Sequence, residues 1–348
     1  MTLVVNGRFL HARPTGVQRV ARRLLEASRR VMPLDVVAPV GVRDPLVDRH
    51  TWAPPGRWGG QAWEQVRLPV AAAGRPVVSL ANTAPLVLRR AAVMVHDLAT
   101  LVGPQWFRRD MRLYGRLSLH TARRAAVVLT VSESIAAELA DTGIAPSSIR
   151  IVRPTVDPMF DPAPDAEVRA GRRLFGLTRD YVVHVGWADP RKDVETLVRA
   201  HHRVLSSWPH DLVLVGDPHP NFAPVRVSSA PSVRLVGAVT DQELRALLTG
   251  AAAFAFPSRY EGFGLPPLEA VACGTPALVS DIPALRESAG RVATLIPVGD
   301  ADAWASGLRA ALDGDLVAPP LERRTWQDAA GELQAALAGL ADAAGIRS

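Results

Sequence analysis

Three features are scarce in this 348-residue sequence, and each scarcity excludes a class of protein. Cysteine occurs once, at Cys273, so the chain cannot form an internal disulfide and needs no oxidising compartment. Aromatic residues make up 5% of the chain, which leaves no stacking platform for nucleic acid beside its basic segments. No run reaches the roughly 18 uninterrupted apolar residues that cross a bilayer.

The amino terminus also lacks the features of a signal peptide. It reads Met-Thr-Leu-Val-Val-Asn-Gly-Arg, without a basic start, an apolar middle or a small-residue cleavage site. We therefore expect a cytoplasmic protein. The single cysteine stands in Val-Ala-Cys-Gly, an apolar setting that favours a buried structural thiol over a nucleophile.

Lysine is almost absent as well, since Lys192 is the single lysine among 40 basic residues and arginine carries the net charge of +6. The arginines concentrate in two predicted helices of the N-terminal half. Such faces attract phosphorylated substrates or an anionic membrane surface, and a solvated helix surface is the open alternative. The residues concerned are Arg19, Arg22, Arg23, Arg29 and Arg30, then Arg108, Arg109, Arg112, Arg116, Arg123 and Arg124.

What the sequence does contain is a regular alternation of short apolar, β-branched runs with longer amphipathic stretches. This alternation predicts α/β architecture with open, doubly wound parallel sheets. The predicted strands are 3–6, 36–40, 77–80, 93–96, 127–131, 149–152, 182–185, 212–215, 233–236, 252–256, 277–280 and 294–296. The predicted helices are 17–31, 107–124, 134–141, 194–205, 241–248, 267–272 and 301–312.

The alternation pauses at residues 153–164, where four prolines forbid a continuous helix or a central strand. This segment is the best candidate for an interdomain linker. We therefore predict an N-terminal domain over residues 1–160 and a C-terminal domain over residues 161–324, each Rossmann-like. Ligands of such sheets bind beyond the carboxyl ends of the strands, so the strand-to-helix loops carry the candidate chemistry.

The loop after the predicted strand ending at Phe256 carries the strongest signal. Gly262 and Gly264 allow a ligand to approach the backbone, and a helix opens at Pro266-Pro267 with free N–H groups that suit a diphosphate. Glu261 and Glu269 flank this apolar loop, and carboxylates accept hydrogen bonds from vicinal hydroxyls. Glu269 therefore suits a ribose and Glu261 a sugar ring.

A second strand-to-helix loop, residues 186–193, places Arg191 and Lys192 side by side. Adjacent cations in such a loop can clamp a departing diphosphate. A chain that otherwise uses arginine throughout keeps a lysine here, which indicates that a compact cation is needed at this position.

These motifs closely resemble those of retaining GT-B glycosyltransferases of the family-4 type, in glycosyltransferase group 1. The match rests on Glu-Gly-Phe-Gly-Leu-Pro-Pro-Leu-Glu-Ala from Glu261, on Cys-Gly-Thr-Pro from Cys273 and on the Arg191-Lys192 pair. The opening Asn-Gly-Arg-Phe-Leu and Thr-Gly-Val-Gln-Arg resemble bacterial O-antigen mannosyltransferases. The asparagine usual after the lysine is Asp193 here, and the usual Asn-Gly after the strand 149–152 is also replaced.

The resemblance implies two domains facing across a cleft, with the C-terminal helix, residues 325–348, packing back on the N-terminal domain. It implies transfer of a hexose, with a lean toward GDP-mannose, from a nucleotide-sugar donor to a saccharide, lipid-linked or natural-product acceptor, as in polysaccharide biosynthesis. His96, Glu261, Arg191 and Lys192 are the expected catalytic residues. The expected donor-binding residues are Gly16, Gly186, Arg191, Lys192, Val239, Phe263, Gly264, Leu265 and Glu269.

We expect no cofactor and no metal ion, because two cations and a helix terminus are available for the diphosphate. The Asp-x-Asp pairs at Asp300 and Asp313 fall at helix boundaries, where aspartate caps are expected. Peripheral contact with the anionic inner face of the plasma membrane is a further expectation. Two alternatives remain, a catalytically silent sugar-nucleotide-binding partner and a sugar-nucleotide epimerase.

Overall fold

A computed structural model describes residues 2–12, 15–54, 59–218, 220–227 and 230–342 of the chain. The chain divides into two compact units. The first comprises residues 1–101, 112–155 and 324–348, and the second comprises residues 102–111 and 156–323. The main division, after residue 155, falls at the proline-rich segment where the sequence predicts a linker. Residues 343–348 of the predicted C-terminal helix lie outside the described residues.

The first unit is built on a seven-stranded sheet whose strand pairings are all parallel. The strand order is β3-β2-β1-β4-β5-β6-β7, so the chain runs outward from β1 in one direction and then returns to continue in the other. The strands are β1 (Leu3–Asn6), β2 (Leu34–Pro39), β3 (Arg49–Thr51), β4 (Val77–Ser79), β5 (Ala91–Val95), β6 (Val127–Thr130) and β7 (Ile149–Ile151).

The second unit repeats this arrangement with six parallel strands in the order β10-β9-β8-β11-β12-β13. The register places Val183 of the central strand opposite Val213 on one side and Phe254 on the other. The strands are β8 (Tyr181–Val185), β9 (Asp211–Val215), β10 (Val233–Gly237), β11 (Ala253–Phe256), β12 (Ala277–Ser280) and β13 (Thr294–Ile296).

Helices form most of the crossover connections between the parallel strands in both units. Those that begin in the first part of the chain are α1 (Gly16–Ser28), α2 (Gly59–Ala62), α3 (Leu68–Ala72), α4 (Ala99–Val102), α5 (Arg109–Arg124) and α6 (Glu133–Asp141). The second unit contains α7 (Asp165–Leu174), α8 (Val194–Leu205), α9 (Asp241–Thr249), α10 (Leu265–Ala272), α11 (Pro283–Ala289) and α12 (Ala301–Leu312). The last helix, α13 (Trp326–Asp342), packs on α1 and on β5, β6 and β7 of the first unit.

The four inner strands of the second unit, β8, β9, β11 and β12, are buried on both faces, which explains their near-continuous apolar sequence. Val182 and Ala255 face a core that includes Trp304, whereas Val183 and Phe254 face the opposite core. The predicted fold class, two doubly wound parallel sheets, is confirmed. Among the described residues, none of the helices combines the length and the apolar character needed to span a membrane.

A chain of buried histidines lies in the second unit beside the outer part of its sheet. Nδ1 of His210 donates to the Trp208 carbonyl (2.6 Å). Burial lowers the pKa of both His201 and His210, so both rings are neutral. Nε2 of His210 then accepts from Nδ1 of His201 (2.9 Å), and Nε2 of His201 accepts from the Ser232 hydroxyl (3.0 Å).

Burial, together with the neighbouring His210 and His202, lowers the pKa of His201 from 6.5 to about 3. The unfolded chain therefore binds a proton near pH 6.5 that the folded protein does not bind. Stability is complete above that pH and falls as the pH drops from about 6.5 toward 3.

We predict that the free energy of unfolding of the wild type falls between about pH 7 and about pH 5, by up to about 1.4 kcal/mol per pH unit from this site. Replacing His201 by glutamine should flatten this dependence, whatever it costs at neutral pH. Urea unfolding at a series of pH values measures the slope. His202, exposed on the same helix, is the matched control, and an equal flattening by H202Q would refute the assignment.

Candidate functional site

The second sheet changes its direction of growth at β8. From this strand the chain adds β9 and β10 on one side and then returns to place β11 on the other side. The loops that follow β8 and β11 therefore leave the same edge of the sheet from adjacent strands. Open α/β sheets bind their ligands in the crevice at such a point.

The loop after β8 is held in a conformation that its sequence requires. Gly186 has a φ of +88°, and the structure places it against the aliphatic part of Lys192, whose Cε would lie 3.6 Å from an added Cβ. A short 3₁₀ turn (Pro190–Lys192) follows, with the Asp189 carboxylate capping its first N–H. Asp193 then adopts a left-handed conformation (φ +43°) and α8 begins.

The loop after β11 ends at Gly264, which is the N-cap of α10 and has a φ of +90° that favours glycine. Pro266 and Pro267 occupy the next positions and have no N–H to donate. Leu265 is consequently the one residue among the first three of the helix that offers a backbone donor. The sequence predicts several backbone N–H groups at the start of this helix that could bind a diphosphate. The structure leaves two, those of Gly264 and Leu265.

Lys192 and Glu261 meet across these two loops. Nζ of Lys192 lies 2.5 Å from Oε1 of Glu261, and their side chains are only 12% and 10% exposed. The ammonium also lies 4.1 Å from the ring centroid of Phe256, the last residue of β11. A backbone hydrogen bond from the Arg259 N–H to the Arg191 carbonyl (2.7 Å) joins the same loops. The structure thus brings together two residues that the sequence separates by 69 positions.

Arg191 is held in a cage of its own. Its guanidinium pairs with both carboxylate oxygens of Asp189, with Nη2 2.6 Å from Oδ2. The guanidinium carbon also lies beside the neighbouring rings of Phe107 and Phe222, 5.6 and 5.5 Å from their centroids. Burial acts to raise the pKa of the Asp189 carboxyl, but the charge and hydrogen bonds of Arg191, aided by the nearby Lys192, bring this pKa below its ordinary value. The pair is therefore ionised.

Phe107 reaches this cage from a segment that the sequence did not mark as important. Residues 102–111 leave the first unit and join the second, where Phe107 forms an antiparallel bridge with Phe222. The Ala223 N–H donates to the Trp106 carbonyl (2.8 Å), and the Trp106 ring lies 6.4 Å from that of Tyr260. The one sequence feature that could have indicated this role is the pair of adjacent aromatic residues, Trp106 and Phe107, just before α5.

The remaining predicted donor residues of this unit lie in the segments that follow β10 and β11. Phe263 lies beside Gly264, and its carbonyl accepts from the Ser288 hydroxyl (2.6 Å). Glu269 is 5% exposed on α10, and Val239 packs half-buried against the core just after β10. Burial raises the pKa of the nearby Cys273 thiol to about 12, which agrees with a structural role for that residue.

Two predicted site residues belong to the first unit. Gly16 is the first residue of α1, with open space where a Cβ would project. His96 follows β5 and is 6% exposed, and its Nε2 donates to the Leu80 carbonyl (2.8 Å). Burial lowers the pKa of His96 despite that hydrogen bond and the nearby Asp97, so the ring is neutral and Nδ1 is an acceptor. Its role on a sugar stays a prediction.

A buried polar network that the sequence did not predict lies at the switch point of the first sheet. Glu64 is fully buried and accepts from Asn6 (2.8 Å), from Nε of Arg8 (2.9 Å) and from the Thr83 hydroxyl (3.1 Å). Asn6 and Arg8 belong to a recognised motif. Nothing in the sequence around Glu64 signalled a buried carboxylate.

The Asp-x-Asp sequences behave as caps. Asp300 accepts from the N–H groups of Asp302 and Ala303, both at 3.0 Å, at the start of α12. Within the described part of the chain, no group of three or more His, Cys, Asp or Glu side chains could hold a metal ion.

Part of the chain matches a known protein family. Residues 179–314, which cover most of the second unit and both loops described above, match the family described as glycosyl transferases group 1.

Curated relatives include several mannosyltransferases. The chain is 29% identical to O-antigen chain mannosyltransferase B of Escherichia coli, over 66% of this chain and 63% of that protein. It is 32% identical to an MMP alpha-(1->4)-mannosyltransferase of Mycolicibacterium hassiacum, over 60% of this chain and 52% of that protein. The chain thus spans less than two thirds of the length of these relatives.

Solved structures resemble the whole chain. WaaG, a glycosyltransferase involved in lipopolysaccharide biosynthesis, superposes with a TM-score of 0.69 at 16% identity, covering 100% of both chains. HepE of Anabaena, in complex with UDP and glucose, gives a TM-score of 0.69 at 15% identity, covering 99% of this chain and 98% of that one. At these identities the similarity is one of fold.

Substitution of Gly264 by alanine tests the geometry of the loop after β11. A Cβ there would overlap Cδ2 of the buried Leu285 and would also require a left-handed alanine. We expect G264A to lower the free energy of unfolding by at least about 2 kcal/mol, from overpacking added to backbone strain. Chemical denaturation measures the loss.

The matched control is G176A, because Gly176 has a φ of +63° with nothing within 4 Å of an added Cβ. In this variant the free energy of unfolding should fall only by the cost of a left-handed alanine, about 1 kcal/mol. Equal losses for the two variants would contradict the close packing of the loop against α11.

Proposed function

Because residues 179–314 form a glycosyl transferases group 1 domain in a chain with the GT-B fold, we propose that the protein is a glycosyltransferase that moves a hexosyl group from a nucleotide diphosphate sugar to a saccharide acceptor. Mannose is the proposed sugar and GDP-mannose the proposed donor, on the strength of the mannosyltransferases among its relatives. The acceptor is a free, lipid-linked or natural-product saccharide.

The contact between Lys192 and Glu261 is the observation that carries this proposal. It lies at the switch point of the sheet, where a nucleotide is expected, and it unites one cation with one carboxylate in a largely buried setting. A sugar nucleotide presents an anionic diphosphate beside a ring of hydroxyls. Lys192 suits the first group and Glu261 suits the second.

The transfer needs stabilisation of the diphosphate as it departs. The bond between the anomeric carbon and the phosphate oxygen breaks while the acceptor oxygen bonds to the same carbon, and the acceptor proton passes to the departing phosphate oxygen. We propose that this substitution occurs on one face of the sugar, with retention of configuration. Lys192 and the Leu265 amide offset the growing negative charge, where electrostatic catalysis concentrates.

The proposed reaction requires no divalent cation. An ammonium that is 12% exposed acts with less solvent screening than a surface lysine and can serve the diphosphate directly. Arg191 contributes through the same loop, and Glu269 is proposed to hold the ribose. His96 is proposed to accept a hydrogen bond from a sugar hydroxyl through Nδ1.

A thermal-shift screen with EDTA tests donor binding. We expect one class among GDP-, UDP-, dTDP- and ADP-sugars to raise the melting temperature, since a ligand at 100 times its Kd adds about 2.7 kcal/mol of stability. K192A should lose this response. R203A, which removes one exposed cation from α8, is the control and should keep it.

Release of nucleotide diphosphate with a mannosylated acceptor then identifies the reaction. Stabilisation that depends on added Mg²⁺ would contradict metal independence. A donor that changes with no acceptor present would indicate epimerisation, and binding with no turnover toward any saccharide would indicate a silent partner.

The arginines of the first unit support a further part of the proposal, contact with an anionic membrane at the inner face of the plasma membrane. On α1, Arg22 and Arg23 pair with Glu26, and Arg29 pairs with Asp48. The arginines late in α5 differ, because Arg123 and Arg124 donate to backbone carbonyls and form no ion pair with a carboxylate among the described residues. We therefore assign membrane contact to α5.

Vesicle co-sedimentation tests this assignment. We expect the triple variant of Arg116, Arg123 and Arg124 to glutamine to bind vesicles with 30% phosphatidylglycerol at least about tenfold more weakly than wild type, as about 1 kcal/mol per basic residue predicts. Removing two charges from α1, in R22Q/R23Q, should have a smaller effect. Equal binding by all three proteins would refute the assignment.

A further inference from the structure

A second ion pair crosses the two loops beside Lys192 and Glu261. Nη2 of Arg259 lies 2.8 Å from Oδ2 of Asp193, which also accepts from the Thr196 hydroxyl (2.9 Å). The Asp193 side chain is 9% exposed, whereas that of Arg259 is 45% exposed. The carboxylate is therefore fixed and nearly buried, and its cationic partner shields it from the solvent side.

The backbone fixes both members of this pair. Asp193 is left-handed, a conformation that aspartate, asparagine and glycine tolerate better than other residues. The N–H of Arg259 donates to the Arg191 carbonyl (2.7 Å), so Arg259 contacts the residues on both sides of Lys192. Its neighbour two positions on, Glu261, contacts Lys192 itself.

These contacts leave the two loops, residues 186–193 and 257–264, balanced in charge. Each of their three cations has a carboxylate: Arg191 has Asp189, Lys192 has Glu261, and Arg259 has Asp193. A nucleotide diphosphate brings at least two negative charges to this edge. The carboxylate at Asp193, adjacent to Lys192 in the chain, opposes that charge unless Arg259 neutralises it.

We infer that Arg259 is a positioning residue for the donor diphosphate, whose side chain acts by neutralising Asp193 beside Lys192. The inference rests on the proposed function, because it takes Lys192 as the diphosphate ligand. Arg259 itself touches Asp193 and the Arg191 carbonyl and does not bond to the diphosphate.

The mechanism predicts a pattern that a simple loss of contact does not produce. In R259Q the carboxylate of Asp193 is left uncompensated beside the diphosphate, and affinity falls about tenfold, the scale of one neighbouring charge. In D193N the amide keeps the left-handed conformation without the charge, and affinity is equal to or greater than wild type. In the double variant D193N/R259Q both charges are gone, and affinity returns to within about twofold of wild type.

Isothermal titration of the full chain with GDP and, separately, with UDP measures these affinities in the presence of EDTA. R203Q is the matched control, because Arg203 is also 45% exposed and pairs with a carboxylate, Asp302, at 3.0 Å in the same unit. R203Q should bind nucleotide as the wild type does. Steady-state kinetics should show the R259Q defect in the donor KM and leave kcat nearly unchanged, and melting temperatures show whether each variant is folded.

Three outcomes overturn the inference. Equal affinities of R259Q and R203Q would show that Arg259 has no part in donor binding. A double variant as weak as R259Q would show that Arg259 acts by direct contact and not through Asp193. A wild type that binds neither GDP nor UDP would instead remove the proposed function, and the inference would fall with its premise.

Discussion

The ion pair between Lys192 and Glu261 is the constraint around which the second unit is organised. It exists because β8 and β11 are neighbours in space although β9 and β10 separate them in sequence, so their loops leave the sheet side by side. Gly186 and Gly264 take left-handed conformations that let these loops turn at the sheet edge. The two side chains then share a site in which each is largely removed from water.

The pair also explains how two charged side chains can be largely buried at this edge of the sheet. A buried charge without a partner is costly, so each of these two groups stabilises the other. In the proposed function, a sugar nucleotide would replace both partners at once, with phosphate for the ammonium and hydroxyls for the carboxylate. Arg191, caged by Asp189 and two phenylalanine rings, is less available for such an exchange.

Sequence patterns predicted the strands and helices of both sheets well, since buried parallel strands are apolar on both faces and their helices are amphipathic. They also placed Lys192 and Glu261 in the right loops. They did not predict that these residues pair with each other, because strand order is a long-range property. The helices α7 and α11 and the short edge strand β3 were likewise missed.

The features missed near the site share one physical cause. Phe107 reaches Arg191 from a segment that changes units, and Arg259 reaches Asp193 from the next loop of the sheet. Glu64 is buried by Asn6, Arg8 and Thr83, which are distant from it in sequence. Each of these contacts depends on residues that only the tertiary structure brings together, so no local sequence pattern predicts it.

The single lysine allows a direct measurement of the central claim, that Lys192 exchanges Glu261 for the diphosphate of the donor. Protein grown with isotope-labelled lysine gives one side-chain NMR signal from residue 192, because the chain has no other lysine. Titration with GDP and UDP in EDTA should shift that signal saturably, and E261Q should shift it before any nucleotide is added. A lysine signal that stays in place while nucleotide binds would show that the ligand is held elsewhere and would contradict the account.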